Sequence, residues 1–174
     1  MATVEVSTWA ELKTALSDNS NDGNTIKLTA DIDMNGVAPE GDNIVMSYDN
    51  AITLDGDNYT IKNLRTKLSS PVAIFGMAFG GTGRTFTIKN LKLQNLILSG
   101  ASLIGANGGT AASTTILEDV RICGSRSGAA YMFSYYGGIT MSKCTIDLPW
   151  KTTGADLTYT SLKPKQTEER HRCC

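Results

Sequence analysis

The stretch TIKNLKLQNLILSG, residues 87–100, carries apolar side chains at Ile88, Leu91, Leu93, Leu96 and Leu98. A strand would place them at every second residue and a helix at every third or fourth, so the rhythm is neither. A strand that bends at corners does produce it: alternation, a slip of one residue, then alternation again.

The rhythm recurs. IKNLRT at 61–66, IKNLKL at 88–93, LEDVRI at 117–122 and MSKCTI at 141–146 place apolar residues first (Ile61, Ile88, Leu117, Met141) and fourth (Leu64, Leu91, Val120, Cys144). A second block follows the first three, AIFG at 73–76, SLIG at 102–105 and YMFS at 131–134, and a Gly-Gly pair closes each unit at 80–81, 108–109 and 137–138. Periods of about 20 to 50 residues point to stacked units that bury their apolar faces only against one another.

Each unit is rich in Ile, Leu, Thr and Phe, is broken by Gly, Asn and Ser, and contains no run long enough for a ten-residue helix. The chain is therefore read as an all-β, single-domain β-solenoid of about five short coils, about 25 Å tall at about 4.8 Å per strand. Leucine-rich repeats share the leucine rhythm, but they need a helical or 3₁₀ return where this chain has Gly, Ser and Thr.

Open solenoid ends invite edge-to-edge association and need covers. In TWAELKTALSD, Thr8 and Glu11 have capping-box spacing and Trp9, Leu12 and Leu16 share one helical face, which predicts an amphipathic helix over the first coil. The expected organisation is an N-terminal strand and capping helix over 1–24, the solenoid over 25–162, and a polar tail over 163–174, disordered or bound to a partner. Asp55-Gly56 is expected to turn tightly between apolar runs.

Sixteen basic and seventeen acidic residues leave a net charge of −1, so bulk electrostatics recruits neither nucleic acid nor an anionic membrane. The start, MATVEVSTWAELKT, holds no apolar signal segment, and no window is apolar enough to span a bilayer. The expectation is a virion protein that leaves its cell by lysis, or a piece of a longer protein of the cell surface. Cys123, Cys144, Cys173 and Cys174 show no zinc spacing and are too few for a disulfide scaffold.

TWAELKTAL at 8–16, TIKLTADIDM at 25–34 and ITLDGDNYTIKNL at 52–64, followed by units with an IFG block, resemble the right-handed parallel β-helix group. That is the pectate-lyase-like superfamily, as found in bacterial surface adhesins and in phage tail-spike, fibre and decoration proteins. The resemblance covers roughly residues 4–148 and implies the architecture more than the activity, because the superfamily includes lyases, hydrolases, adhesins and virion parts. Its catalytic members set clustered carboxylates, sometimes with Lys or Arg and calcium, on neighbouring coils. The aligned outward positions here are Lys62-Asn63, Lys89-Asn90, Glu118-Asp119 and Ser142-Lys143, and no acidic pair recurs.

Candidate chemistry is sparse. Asp31, Asp33, Asn35, Gly36 and Asp42 imitate a calcium loop, but Ile32 and Met34 alternate with them as in a strand, Pro39 takes a ligand place, and the twelfth place lacks Glu. Asp55 and Asp57 would serve glycoside cleavage as a carboxylate pair, but LDGDNY reads as a turn. His171, the single histidine, lies in the tail beside Cys173 and Cys174. Tyr131, Tyr135 and Tyr136 are candidates for a sugar or protein platform, against which Met132 and Phe133 align with core positions Ile74 and Phe75. No catalytic residue, metal or cofactor is expected. The sequence suggests a non-enzymatic structural or adhesive module, first a phage virion component, next a fragment of a bacterial surface adhesin, and third a polysaccharide lyase or hydrolase. Its expected partners are copies of itself, other virion or surface proteins, or a glycan.

Overall fold

The computed structural model describes residues 1–35, 44–46, 48–67, 73–77, 83–99, 102–106, 113–127, 133–134, 138–147, 152–153 and 156–159. Their strands form three sheets in which every pairing is parallel. The first sheet runs β1 (Thr3–Val6), β2 (Thr25–Leu28), β5 (Ala51–Asp55), β9 (Thr85–Lys89), β12 (Thr114–Glu118), β15 (Gly138–Ser142) and β18 (Asp156–Tyr159). The second runs β3 (Ile32–Asp33), β6 (Thr60–Lys62), β10 (Lys92–Ser99), β13 (Arg121–Ser127) and β16 (Thr145–Asp147), with β7 (Arg65–Lys67) also on β10. The third runs β4 (Ile44–Met46), β8 (Ala73–Met77), β11 (Ser102–Ala106), β14 (Phe133–Ser134) and β17 (Thr152–Thr153). The successive strands β9, β10 and β11 fall in three different sheets, as do β12, β13 and β14. The chain therefore visits all three sheets before it pairs with its own previous turn.

The helix α1 (Trp9–Ser17) forms where the capping-box spacing predicts it. The Glu11 amide donates to Thr8 Oγ1 at 3.2 Å, and the Thr8 amide donates to Glu11 Oε2 at 3.1 Å, satisfying donors that a helix start leaves open. Its apolar face (Trp9, Leu12, Ala15, Leu16) is buried, and the helix packs on β1, β2 and β4. The Trp9 ring meets Phe75 edge-on at 6.4 Å between centroids. Asp18 ends the helix and accepts from the Ser20 amide at 2.9 Å, opening a single 3₁₀ turn at Asn19–Asn21.

The uneven apolar spacing of residues 87–100 has a backbone cause. Ile88, Leu91, Leu93, Leu96 and Leu98 are each at most 1% exposed, so all five face the same core. Alternation slips at two places, and the left-handed residues Asn90 (φ 50°) and Asn95 (φ 53°) sit there. Asparagine enters this region more readily than most residues because its short carboxamide bonds locally. Asn90 turns the chain from β9 into β10. Asn95 makes a bulge inside β10, where the register with β13 shifts between Leu93 and Leu96. Each slip returns a leucine to the interior, worth about 1.5 to 3 kcal/mol per buried side chain.

The two IKNL segments are not equivalent, which corrects the repeat expected from the sequence. Ile61 is in register with Leu93, whereas Ile88 is in register with Leu54 and Leu117. The equivalence of Ile88, Leu117 and Met141 holds, as does that of the blocks beginning Ala73 and Ser102. The displacement arises at Asp55-Gly56, where the first corner is longer than in later turns: Asp57 (φ 47°) and Asn58 (φ 69°) are both left-handed, and the Tyr59 amide donates to the Gly56 carbonyl at 2.7 Å. This is a corner between sheets, since β5 and β6 do not pair. The corners at Asn63, Asn90, Asp119 and Lys143 each use an apolar residue, an outward residue, a left-handed residue and another apolar residue. The letters IKNL satisfy the second corner at Asn63 (φ 60°) as well as the first at Asn90.

The β10 bulge brings its backbone against Gly124 of β13. A Cβ there would overlap the Leu96 carbonyl oxygen and lie 2.7 Å from its carbonyl carbon. Gly124→Ala is expected to cost about 3 kcal/mol and to lower Tm by about 10 °C. Gly138→Ala, whose new methyl would meet nothing nearer than Thr114 Oγ1 at 4.0 Å, is expected to melt within about 3 °C of the wild type. Thermal unfolding followed by circular dichroism distinguishes the two.

Candidate functional site

The outward side chains of a stacked parallel sheet form columns, because register partners lie about 4.8 Å apart along the stack. On the first sheet the column beside the first corner reads Glu5, Lys27, Asp55, Lys89, Glu118 and Ser142. Its charges alternate in sign. Lys89 Nζ lies 3.3 Å from Asp55 Oδ2, and Lys27 Nζ lies 3.0 Å from Asp57 Oδ2. Opposite charges at register positions stabilise by a few tenths of a kcal/mol to about 1 kcal/mol, and like charges destabilise.

The acidic candidates are committed to neighbouring turns. Asp55 Oδ1 accepts from the Asp57 amide at 3.0 Å and from Asn90 Nδ2 at 3.0 Å, so Asp55 and Asp57 hold a corner together and each faces a lysine. Asp31 Oδ1 accepts from the Thr60 amide of the next turn at 2.8 Å. Asp33 Oδ1 accepts from the Asn35 amide at 2.9 Å and from Asn63 Nδ2 at 2.7 Å, and Asp33 Oδ2 faces Lys62 Nζ at 3.3 Å. Asn95 Nδ2 then donates to Asn63 Oδ1 at 2.7 Å, which extends the ladder over a third turn. Among the described residues no three His, Cys, Asp or Glu side chains converge as a metal site. No helix among them is long and apolar enough to cross a membrane.

Tyr131, Tyr135, Tyr136, Asp42, His171, Cys173 and Cys174 lie outside the described residues. Phe133 is in register with Ile104, itself in register with Phe75. Cys144 is buried, burial pushes its thiol pKa up, and it follows Lys143 as Val120 follows Asp119 at the same corner.

The second sheet breaks the pairing rule. Its outward column beside the first corner reads Thr60, Lys92, Arg121 and Thr145, so two cations stand at directly opposed positions. Both side chains are exposed, and neither has an ion-pair partner among the described residues. With Asn58, Asn90 and Asp119 they line a shallow depression of about 120 Å³. The long first corner places Asn58 there: its left-handed backbone is held by its amide donating to the Asn90 carbonyl at 2.8 Å. The Asn90 carboxamide is occupied by Asp55, whereas that of Asn58 is exposed and takes no hydrogen bond among the described residues. Sequence reasoning missed this group, since Lys92 and Arg121 come from different turns and become neighbours only once the register is known.

The bonded carboxylates give the fold an acid limit. The Asn63 amide, then the Asn35 N–H and Lys62, hold Asp33 below the usual carboxylate range. Burial pushes Asp55 up, but the Asp57 N–H, the Asn90 amide and Lys89 outweigh it and leave that carboxyl low as well. A folded-state pKa below the unfolded value of about 4 stabilises the fold fully above that value, and the contribution disappears as pH falls through the folded pKa. Tm is therefore expected to hold near neutrality and to fall below about pH 4. Asp33→Asn with Asp55→Asn is expected to start less stable at pH 7 and to lose less on acidification. Melting curves at several pH values test this.

No curated protein and no solved structure matches this chain. A protein-family profile does match it, over residues 3–160, nearly the whole length. The chain belongs to the family described as "Putative pectate lyase-like adhesive domain".

Proposed function

We propose that the protein is a non-enzymatic adhesive module whose three sheets close into a right-handed parallel β-helix of about five coils, with α1 covering its first turn. The observation that carries this reading is the family match, described as adhesive. The geometry supports it: the carboxylates of Asp31, Asp33, Asp55 and Asp57 bond or pair with neighbouring groups, so cleavage by a free acid and base has no candidate among them. The division into an end-covering segment (1–24), a coiled body (25–162) and a polar tail (163–174) belongs to the same reading.

The adhesive family description supports presentation on a cell surface; there the module would be part of a longer chain and would take a glycan or protein as partner. A phage virion is the second home, in which the module would contact other virion proteins or further copies of itself. Membrane and nucleic acid are not partners in either case.

The test pairs binding with turnover. The purified protein is applied to immobilised uronic-acid and neutral polysaccharides and to whole bacterial cells. The same polysaccharides are incubated with it, with and without calcium, while unsaturated products and reducing ends are followed. Saturable binding without product is the expected result. Turnover that disappears in Asp55→Ala or Asp57→Ala would overturn the proposal in favour of a lyase or hydrolase.

A further inference from the structure

We infer that Lys92, Arg121 and Asn58 form a binding site for a tetrahedral oxyanion ester, a sulfate or phosphate monoester carried on a glycan. The inference rests on the adhesive reading and gives it a ligand class. Lys92 and Arg121 are direct register partners on β10 and β13, exposed, on one face, and without ion-pair partners among the described residues. Two cations held this close repel one another, and an anion between them removes the repulsion. The neighbouring column on the first sheet shows the alternative, since there each charge meets its opposite.

The shape of the donor set selects the anion. Lysine offers an ammonium point charge, arginine a planar fork, and Asn58 an open carboxamide, all lining one depression of about 120 Å³. A monoester has three terminal oxygens, one for each donor. A planar carboxylate has two, which the arginine fork alone satisfies. Asp119, which also lines the depression, is an acceptor that repels an anion beside it and suits a sugar hydroxyl. The site therefore favours an esterified sugar over a bare oxyanion.

The experiment measures binding of the full chain to dextran sulfate, phosphorylated dextran, polygalacturonate and unmodified dextran at about 0.05 M and about 0.5 M salt, where exposed charge contacts differ most. Amide and side-chain NMR shifts locate the contact. The expected result is binding to the sulfated or phosphorylated polymer, with shifts at Asn58, Lys92 and Arg121. Lys92→Gln and Arg121→Gln each weaken it about fivefold or more, Asp119→Asn does not weaken it, and high salt weakens the wild type but not the double glutamine variant. Preference between sulfate and phosphate identifies the source of the ester.

Equal or tighter binding to polygalacturonate, or binding indifferent to both glutamine substitutions, would overturn the inference. If the double variant still adheres to cells as the wild type does, adhesion stands and this site falls. If the wild type neither adheres to cells nor binds any polymer, the adhesive reading falls with it. Melting curves of the variants, whose changed side chains are exposed, show whether folding is intact.

Discussion

A chain that must turn a corner and still keep the same face inward has to lose one residue from its alternation, and a left-handed residue at the corner does this. Asn63, Asn90, Asn95, Asp119 and Lys143 carry that conformation, and buried residues follow them at Leu64, Leu91, Leu96, Val120 and Cys144. Without these slips a strand continuing past a corner would turn its apolar set to solvent. Asparagine and aspartate occupy most of these corners because they enter the left-handed region readily, and the asparagines then bond across turns, Asn63 to Asp33, Asn90 to Asp55 and Asn95 to Asn63. The core, the register and the outward columns all follow from where the slips fall.

Stacking then turns local corners into a continuous structure. The ladder from Asp33 through Asn63 to Asn95 joins three successive turns by hydrogen bonds of 2.7 Å. The first corner is joined by Asp55 to Asn90, and its backbone by Gly56 donating to the Lys89 carbonyl at 2.8 Å. Carboxylates thus act as links between turns, and stability is expected to depend on their ionisation. Lys92, Arg121 and Asn58 do not take part in those links and line one depression.

Much of the architecture was legible in the sequence. The uneven leucines of residues 87–100 revealed the corners, Thr8 and Glu11 revealed the helix start, and the AIFG and SLIG blocks are register partners in the third sheet. The assignment of the first IKNL failed for a physical reason: two different corners impose the same local demand, and four residues do not record which sheet they enter. The candidate site failed for a related one. Lys92 and Arg121 are separated by a full turn of chain, and only the register, set by the bulge at Asn95 and the long corner at Asp55–Tyr59, brings them together. Charge spacing along one segment holds no record of that.

The register around the two IKNL segments is the centre of this account, and disulfide trapping measures it directly. In a chain with Cys123, Cys173 and Cys174 replaced by serine, Lys62→Cys is combined with Gln94→Cys or with Lys89→Cys, and mild oxidation is followed by peptide mass spectrometry. Lys62 and Gln94 are register partners, within the reach of a disulfide, so the first pair is expected to cross-link and the second to remain reduced. Cross-linking of Lys62→Cys with Lys89→Cys, and not with Gln94→Cys, would mean that the two IKNL segments are stacked equivalents and would contradict the account.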